Sequence, residues 1–394
     1  MSGRVTPITG ARSHRRRAAV QTDVRERRSV LILVPVAMLL IMGLGEMLSA
    51  SSVISIRQFG DPLFYFKRQV LWVGLGLAAF VVTTRFPYRN YRSLALPMYV
   101  LTVVLLLATL VVGDNRGGAV RWIEVGPLTI QAAEFAKFST VALLATVLTK
   151  KERWLTHLPH FVWPVSVILG VVGLMLLAQP DFGTFLLIIA AAFAVMMASA
   201  APFRYVVGLW TLGVAMATAL AFALPYRRAR IMSFLDPMAD PLGAGHQAVQ
   251  SLVALGTGNW FGVGLGASRA RWSFLPNAHT DFIFAIIGEE TGLAGALLVV
   301  SLFLALAIVG VRIALKAPDK FGRLLAVGIV SWLSFQALVN IGGVTAVLPI
   351  TGVPLPFVSA GGNAMLVNLA AIGVLVNIAR TASSEPASTS DVRS

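Results

Sequence analysis

The sequence has no cysteine, which excludes disulfide bonds and thiolate metal sites. Five histidines scattered over 394 residues argue against a histidine-based metal cluster. Charged residues make up only 12% of the chain, whereas soluble domains carry about a quarter. Because 57% of the residues are hydrophobic, too little charge is left to cover a water-exposed surface, and lipid must surround most of the chain.

The charge that remains is strongly positive. A net charge of +15 would point to a nucleic-acid partner in a soluble protein. In a membrane protein the same excess is typical of the positive-inside bias, in which Lys and Arg collect on the cytoplasmic side. We therefore expect a lipid bilayer around the protein and no nucleic acid.

Apolar runs near the length that crosses a bilayer, about 20 residues, recur along the whole chain. They predict an all-α polytopic membrane protein of about ten transmembrane helices, with a large loop over 226–281 between the seventh and the eighth. The first run is too long for a cleaved signal peptide, whose apolar core has about 7–15 residues, and is interpreted as an uncleaved anchor. The predicted spans are 29–51, 69–85, 93–113, 132–149, 161–178, 183–200, 203–225, 282–311, 323–346 and 356–379.

Ten spans place both termini on one side, and that side carries most of the 32 Lys and Arg residues. The bias predicts cytoplasmic termini and an outward-facing long loop. Residues 1–28 and 381–394 are polar and lack apolar periodicity. They are predicted to be disordered cytoplasmic tails on either side of a membrane domain over 29–380.

The long loop carries five arginines, at positions 227, 228, 230, 269 and 271. They can snorkel to lipid headgroups, or they can bind an anionic substrate, since guanidinium groups match phosphate oxygens. Residues 247–255 predict a short apolar helix, and the glycines from 256 to 266 a backbone that can approach a ligand closely. A nucleotide-binding loop is not indicated, because no preceding strand or βαβ unit exists.

Polar residues occur where the long loop re-enters the membrane. Taken alone, Thr280 or Asp281 is most simply a cap of the next helix. Glu289 and Glu290 follow inside the span, where carboxylates are costly and are usually functional or paired.

Further polar groups stand at the ends of other spans. Residues 118–122 resemble a turn that presents Arg121 and a tryptophan. Glu134 and Lys137, one helical turn apart, can pair inside the membrane, and Asp181 is placed to cap a helix start. Together these groups predict a cleft that opens outward.

Six segments, in this order along the chain, resemble motifs of a known protein family: GAVRWI, QPDFGT, YRRARIMSFLDP, DPLGAGHQAVQSLVALGTG, GVGLGASRARWSFLPNAHTDFIFAIIGEE and LPITGVPLPFVSAGG. From about residue 30 to 380 the chain resembles the SEDS family of cell-wall proteins (FtsW, RodA and SpoVE). The resemblance implies ten membrane helices with a large outer loop, and a peptidoglycan glycosyltransferase that polymerises lipid II. The motifs look more like FtsW, the division branch, than RodA, the elongation branch.

The resemblance also implies the site. Asp281 matches the family's catalytic aspartate and would take the proton from the GlcNAc 4-hydroxyl of the acceptor lipid II. Arg121 and Arg230 could hold the pyrophosphate of the undecaprenyl leaving group. A divalent cation (Mg²⁺ or Mn²⁺) could assist them. The substrate-binding set carried over from the motifs is Arg121, Glu134, Lys137, Gln179, Asp181, Arg230, Gln247, His279, Glu290 and Ser359.

The implied partners are lipid II, a cognate class B penicillin-binding protein with transpeptidase activity, and other divisome proteins. The implied location is the bacterial cytoplasmic membrane at the division septum. Three alternatives stay open: a RodA-like elongation polymerase, a lipid II flippase or other transporter, and a non-catalytic divisome scaffold.

The chain departs from the family pattern at three places. Ala132 and Ala133 stand where the family has Pro followed by Ser or Ala, His246 replaces an aromatic residue, and Ala360 and Asn363 replace a tyrosine and a serine. The last change removes a ring and a hydroxyl beside the expected cleft.

Overall fold

The computed structural model describes residues 9–116, 119–126, 128–223, 234–243, 245–270 and 280–382. Its elements in chain order are α1 (Thr9–Phe59), α2 (Phe64–Arg85), α3 (Tyr91–Val112), β1 (Asp114–Arg116), β2 (Ala119–Val125), β3 (Leu128–Ile130), α4 (Ala132–Lys150), α5 (Leu158–Ala178), α6 (Phe182–Ala198), α7 (Phe203–Ala223), α8 (His246–Thr257), α9 (Ile283–Leu315), α10 (Lys320–Val344) and α11 (Gly362–Ala382). Each predicted span corresponds to one apolar helix, and α8 is the short loop helix predicted over 247–255.

Within the residues that the structure describes, eight helices are long and apolar enough to cross a membrane by length and composition. The other two predicted spans correspond to α6, which has 17 residues, and α7. The polytopic all-α architecture predicted from hydropathy is thus confirmed.

The helices form an inner and an outer layer. Most residues of α4, α10 and α11 are buried inside the protein, whereas the helices around them turn large apolar side chains outward. Ile41, Val111 and Trp163 are each more than 70% exposed. Only a hydrocarbon environment accommodates so many exposed apolar side chains, which supports the membrane assignment.

Small residues let α2 and α11 approach closely. A Cβ on Gly76 would collide with the side chain of Leu369, and one on Gly373 with Thr83 and with the Phe80 carbonyl, 2.6 Å away. In lipid, where apolar attraction between helices is weak, close backbone approach of this kind drives helix association.

The N-terminal segment differs from the disordered tail predicted over 1–28, because α1 already begins at Thr9. The first proline within α1 is Pro35, and the preceding stretch is rich in Ala and Arg, which favour helix. A helix that is nucleated in the membrane extends backward through such residues at little cost. Residues 1–8 and 383–394 lie outside the described residues.

The connection between α3 and α4 folds as an antiparallel sheet in the order β1-β2-β3, with Asp114 opposite Trp122 and Ile123 opposite Ile130. The prediction of a turn at 118–122 is therefore wrong for Arg121, which lies in strand β2. The segment AVRWIEV is rich in β-branched and aromatic residues, which favour a paired strand.

The chain connections divide the molecule into two sides. We define the Asp281 side as the one that carries the described connections 60–63, 113–116, 119–126, 128–131, 179–181 and 345–361 together with Asp281. On the opposite side, Asp319 accepts from the Tyr88 hydroxyl at 2.5 Å and pairs with Arg89 at 3.2 Å.

Helix α9 is broken near the Asp281 side at Gly292, whose φ of 69° and ψ of −166° are non-helical. The backbone of residues 260–262 lies directly against this break, so that the N–H of Leu293 donates to the Asn259 carbonyl at 2.8 Å. The glycines of the long loop do allow a close backbone approach, but in this structure the approach is to α9.

We expect Gly258→Ala to destabilise the protein by about 1–3 kcal/mol through overpacking, because a Cβ at this position would collide with the Gly288 carbonyl. The matched control is Gly256→Ala, two residues earlier, where a Cβ meets no atom within 4 Å. Thermal unfolding in detergent micelles measures both variants. Equal melting temperatures for the two would contradict this packing of the loop on α9.

Candidate active site

Asp281 lies at the point where the long loop joins α9. The helix begins at Ile283 with Phe282 at its N-cap, so Asp281 stands one residue before the cap position. Its side chain is half-buried, and its backbone carbonyl accepts a hydrogen bond of 2.8 Å from Nδ2 of Asn340.

The segment 350–353 forms the wall opposite Asp281. A Cβ on Gly352, which has a φ of 72°, would lie 3.6 Å from Oδ2 of Asp281, so the backbone passes next to the carboxylate. Asp281, Asn340 and this segment line a cleft of about 10 Å³. That volume holds roughly one water molecule.

The start of α6 packs behind this wall. A Cβ on Gly183 would lie 2.9 Å from the carbonyl of Thr351, which brings the turn at residues 179–181 to the site. Asp181 caps α6, as predicted, by accepting from the N–H of Thr184 at 3.2 Å. The Gln179 amide donates to the Leu106 carbonyl at 2.8 Å.

Arg121 reaches the same turn from strand β2. Its guanidinium donates to the carbonyl of Pro180, which joins the sheet to the start of α6. Its Nε is buried and has no acceptor among the residues that the structure describes. Oε1 of Gln179 and Oδ2 of Asp181 are likewise buried without a partner within the described ranges. Buried polar atoms normally have partners, so each of these three atoms calls for an explanation.

Glu134 and Lys137 form the predicted ion pair at the start of α4. Nζ of Lys137 lies 2.7 Å from Oε2 of Glu134, and both side chains are at most 3% exposed. The same Nζ donates to Oε1 of Gln336 at 2.9 Å and lies 5.4 Å from the ring centroid of Trp332. These partners compensate the charge of a lysine that would otherwise be very costly in this environment.

Two amide side chains on α10 were not predicted from the sequence as site residues. Gln336 donates to the carbonyl of Pro354 at 2.8 Å, and Asn340 donates to those of Asp281 and Val353, each at 2.8 Å. They are four residues apart and so share one face of the helix. That spacing of amides inside an apolar span was the signal that could have identified them.

Glu289 and Glu290 bind the long loop to α9. Glu289 accepts from the hydroxyl of Ser268 at 2.5 Å and from the backbone N–H groups of Arg269 and Ala270. Glu290 accepts from the hydroxyl of Ser49 at 2.7 Å and from the N–H of Gly266 at 2.8 Å. Glu290 follows Asp281 by nine residues, roughly 13 Å along a helix. In this conformation its carboxylate holds the loop.

The remaining predicted residues are distributed as follows. Ser359 accepts from the N–H of Leu355 at 2.8 Å and thereby holds a turn, and Gln247 is half-buried in α8. Arg230 and His279 lie outside the described residues. Asn363, one of the departures from the family pattern, donates to the Thr129 carbonyl at 2.6 Å and so ties α11 to strand β3.

Metal-binding side chains do not gather at the site. Within the described ranges no group of three or more His, Asp or Glu residues is arranged to hold a metal ion. Among these residues the protein by itself therefore offers no three-ligand site for a resident Mg²⁺ or Mn²⁺.

A family model described as "Cell cycle protein", for FtsW, RodA and SpoVE, matches residues 29–384. The chain belongs to this family. It is similar to stage V sporulation protein E of Bacillus subtilis strain 168, with 39% identity over 361 residues that cover 91% of this chain and 99% of that protein. It is also similar to a probable peptidoglycan glycosyltransferase FtsW of Geobacter metallireducens, with 38% identity over 90% of this chain and 95% of that one.

Solved structures agree with this family assignment. A chain of a peptidoglycan synthase complex, described as coordinating polymerization and crosslinking, superposes with a TM-score of 0.74 at 29% identity and covers 90% of this chain and 98% of its own. The rod-shape-determining protein RodA of Thermus thermophilus superposes with a TM-score of 0.65 at 26% identity, over 89% and 95% of the two chains.

We expect Lys137→Met to destabilise the protein by about 3–5 kcal/mol, because it leaves the buried Glu134 carboxylate without its partner. Combining it with Glu134→Leu should recover most of the loss, since an apolar pair of similar volume is often neutral. Thermal unfolding in micelles measures both.

The matched control is Lys320→Met, which removes an ion pair with Glu152 whose side chains are 69% and 33% exposed. Exposed pairs contribute less than about 1 kcal/mol, so this variant should unfold near the wild type. Equal effects of the two lysine substitutions would contradict a stabilising role for the buried pair.

Proposed function

We propose that this protein is a peptidoglycan glycosyltransferase that polymerises lipid II at the outer face of the bacterial cytoplasmic membrane. The observation that carries the proposal is the position of Asp281. Its carboxylate lies against the wall at Gly352, and this wall packs on the start of α6, where Gln179 and Asp181 have buried atoms without a partner among the described residues. Membership of a family whose relatives include proteins named as probable peptidoglycan glycosyltransferases supports the same chemistry.

In this mechanism Asp281 is the general base. It takes the proton from the 4-hydroxyl of the acceptor GlcNAc while that oxygen forms a bond to C1 of the donor MurNAc. The bond from C1 to the phosphate oxygen breaks with inversion, and undecaprenyl pyrophosphate leaves with the electron pair. One carboxylate is sufficient because pyrophosphate is a good leaving group that needs charge stabilisation more than protonation.

Arg121 is placed to supply that stabilisation. Its guanidinium is fixed on the turn before α6 by the Pro180 carbonyl, and its buried Nε remains available as a donor among the described residues. Guanidinium forks match phosphate oxygens, and their bonds to anions are charge-assisted. We assign Arg121 to the pyrophosphate, together with Arg230, which lies outside the described residues.

A groove between α2, α3, α4 and α11 suits the polyprenyl tail. It encloses about 320 Å³, and its lining along α3 runs from Tyr91 to Leu105, roughly 20 Å at 1.5 Å per residue. The remaining walls are mainly apolar, with Phe138 on α4 and Ala370 on α11 among them. A prenyl chain lying here would be attached to a headgroup at the Asp281 side.

We further propose that the protein acts in septal peptidoglycan synthesis, with both termini in the cytoplasm and the Asp281 side facing outward. The relatives named FtsW support the division branch. The structural neighbour in a synthase complex supports a penicillin-binding protein transpeptidase as partner, within the divisome.

We expect Asp281→Asn to lower lipid II polymerisation at least about 100-fold, because general-base catalysis contributes a factor of about 10²–10⁴. The purified protein, alone and with its partner transpeptidase, is assayed for glycan strands on gels. Asp236→Asn, an exposed aspartate on the same loop, is the matched control and should retain activity.

Equal glycan yield from wild type and Asp281→Asn would overturn the assignment of the base. Lipid II scrambling in liposomes without chain growth would instead indicate a transporter. Full complementation of a null strain by Asp281→Asn would indicate a scaffold.

We expect Ala370→Trp to raise the KM for full-length lipid II about tenfold, because the indole fills the groove and displaces apolar chain contacts. The KM for a lipid II analogue with a short, water-soluble chain should stay unchanged. The control is Val104→Trp, at a 53% exposed position of α3 that is not among the groove residues. An equal rise in KM for both substrates would contradict this location of the tail.

A further inference from the structure

Asn340 connects two segments of the site that come from distant parts of the chain. Its Nδ2 donates to the carbonyl of Asp281 and to the carbonyl of Val353, each at 2.8 Å. The side chain belongs to α10 and is only 5% exposed. One amide group therefore holds both the residue that carries the proposed base and the wall opposite it.

The orientation of this amide is determined by its partners. Both are carbonyl oxygens, which accept hydrogen bonds, so the nitrogen must face them. The oxygen Oδ1 then points away and is buried without a donor among the described residues. An unsatisfied buried acceptor is unfavourable, so the two hydrogen bonds of the nitrogen, and not the oxygen, hold the amide in this orientation.

What the contact controls is the placement of the carboxylate. Gly352, the residue before Val353, passes next to Oδ2 of Asp281. If the Asp281 carbonyl were released, the loop end and the wall could move independently. A displacement of about 1 Å between reacting groups can lower a rate about 100-fold.

Gln336, one helical turn earlier, secures Pro354, the residue that directly follows the wall. It donates to the Pro354 carbonyl at 2.8 Å, and its Oε1 accepts from the buried Lys137 at 2.9 Å and from the indole of Trp332 at 3.2 Å. The end of the wall is thus held at two successive carbonyls, those of Val353 and Pro354, by side chains of one helix. Groups built on helices hold a site more accurately than groups on loops.

We propose that Asn340 is a positioning residue for Asp281, which fixes the base against the 350–353 wall without touching substrate. This inference rests on the proposed function, because it assigns Asn340 a role in the same reaction.

The test compares Asn340→Leu with Asn368→Leu. Asn368 is also buried in a membrane helix, and both polar atoms of its amide have no partner among the described residues, so its replacement should be neutral. For Asn340→Leu we expect kcat for lipid II polymerisation per folded protein to fall about 10- to 100-fold, with KM changed less than about twofold. Hydrogen exchange should accelerate at the amides of residues 281–285 and 350–353.

A double-mutant cycle separates positioning from a general loss of structure. Asp281→Glu moves the carboxylate by about one methylene, so the hydrogen bond to the backbone no longer places it correctly. Adding Asn340→Leu to that variant should lower kcat by less than about threefold, because effects on one unit are not additive. A purely structural role predicts the same factor in both backgrounds.

The outcomes are distinguishable. Faster exchange with an unchanged kcat would overturn the positioning role, as would a full additional loss in the Asp281→Glu background. Unchanged exchange in Asn340→Leu would overturn the contact itself, whatever the activity. If the wild type makes no glycan, the proposed function fails and the positioning role fails with it.

Discussion

The structure depends on the requirement that a backbone group surrounded by hydrocarbon must find its hydrogen-bond partner within the protein. Regular helices meet this requirement by themselves, but the chain is interrupted at Gly292 and over residues 345–361. At Gly292 the backbone of the long loop supplies partners, and in the 345–361 segment side chains do so. Glu289 and Glu290 accept from N–H groups of the loop, and Gln336 and Asn340 donate to carbonyls. These buried polar residues of α9 and α10 therefore lie next to non-helical backbone.

The same arrangement explains how ionisable groups are tolerated in so apolar a protein. Lys137 is 1% exposed, yet it has a carboxylate, an amide oxygen and an aromatic ring around it. On the opposite side the ion pairs are more exposed and contribute little. Desolvated and therefore strong electrostatic interactions are concentrated near the Asp281 side, where negative charge develops in the proposed reaction.

Much of the fold and part of the site could be predicted from the sequence. Hydropathy located spans that each correspond to a helix in the described residues, because span length follows from bilayer thickness. The pair of Glu134 and Lys137 and the capping role of Asp181 were also predictable, since both depend on residues within one helical turn. The strand that carries Arg121 was missed, because strand pairing depends on partners elsewhere in the chain. The long helix α1 was missed for a different reason: its start is stabilised by continuity with the membrane span.

The sequence by itself determined the membrane class, the spans and the local contacts, since these follow from composition and from spacings of three or four residues. Only the tertiary structure decided what surrounds Asp281. Asn340 and Gly352 are 59 and 71 positions away along the chain, and no local periodicity records that they meet. The tertiary structure also decided which element the glycines after α8 approach, because they allow the loop to pack against α9 at its break. The physical reason is that such contacts are selected by the packing of several helices at once.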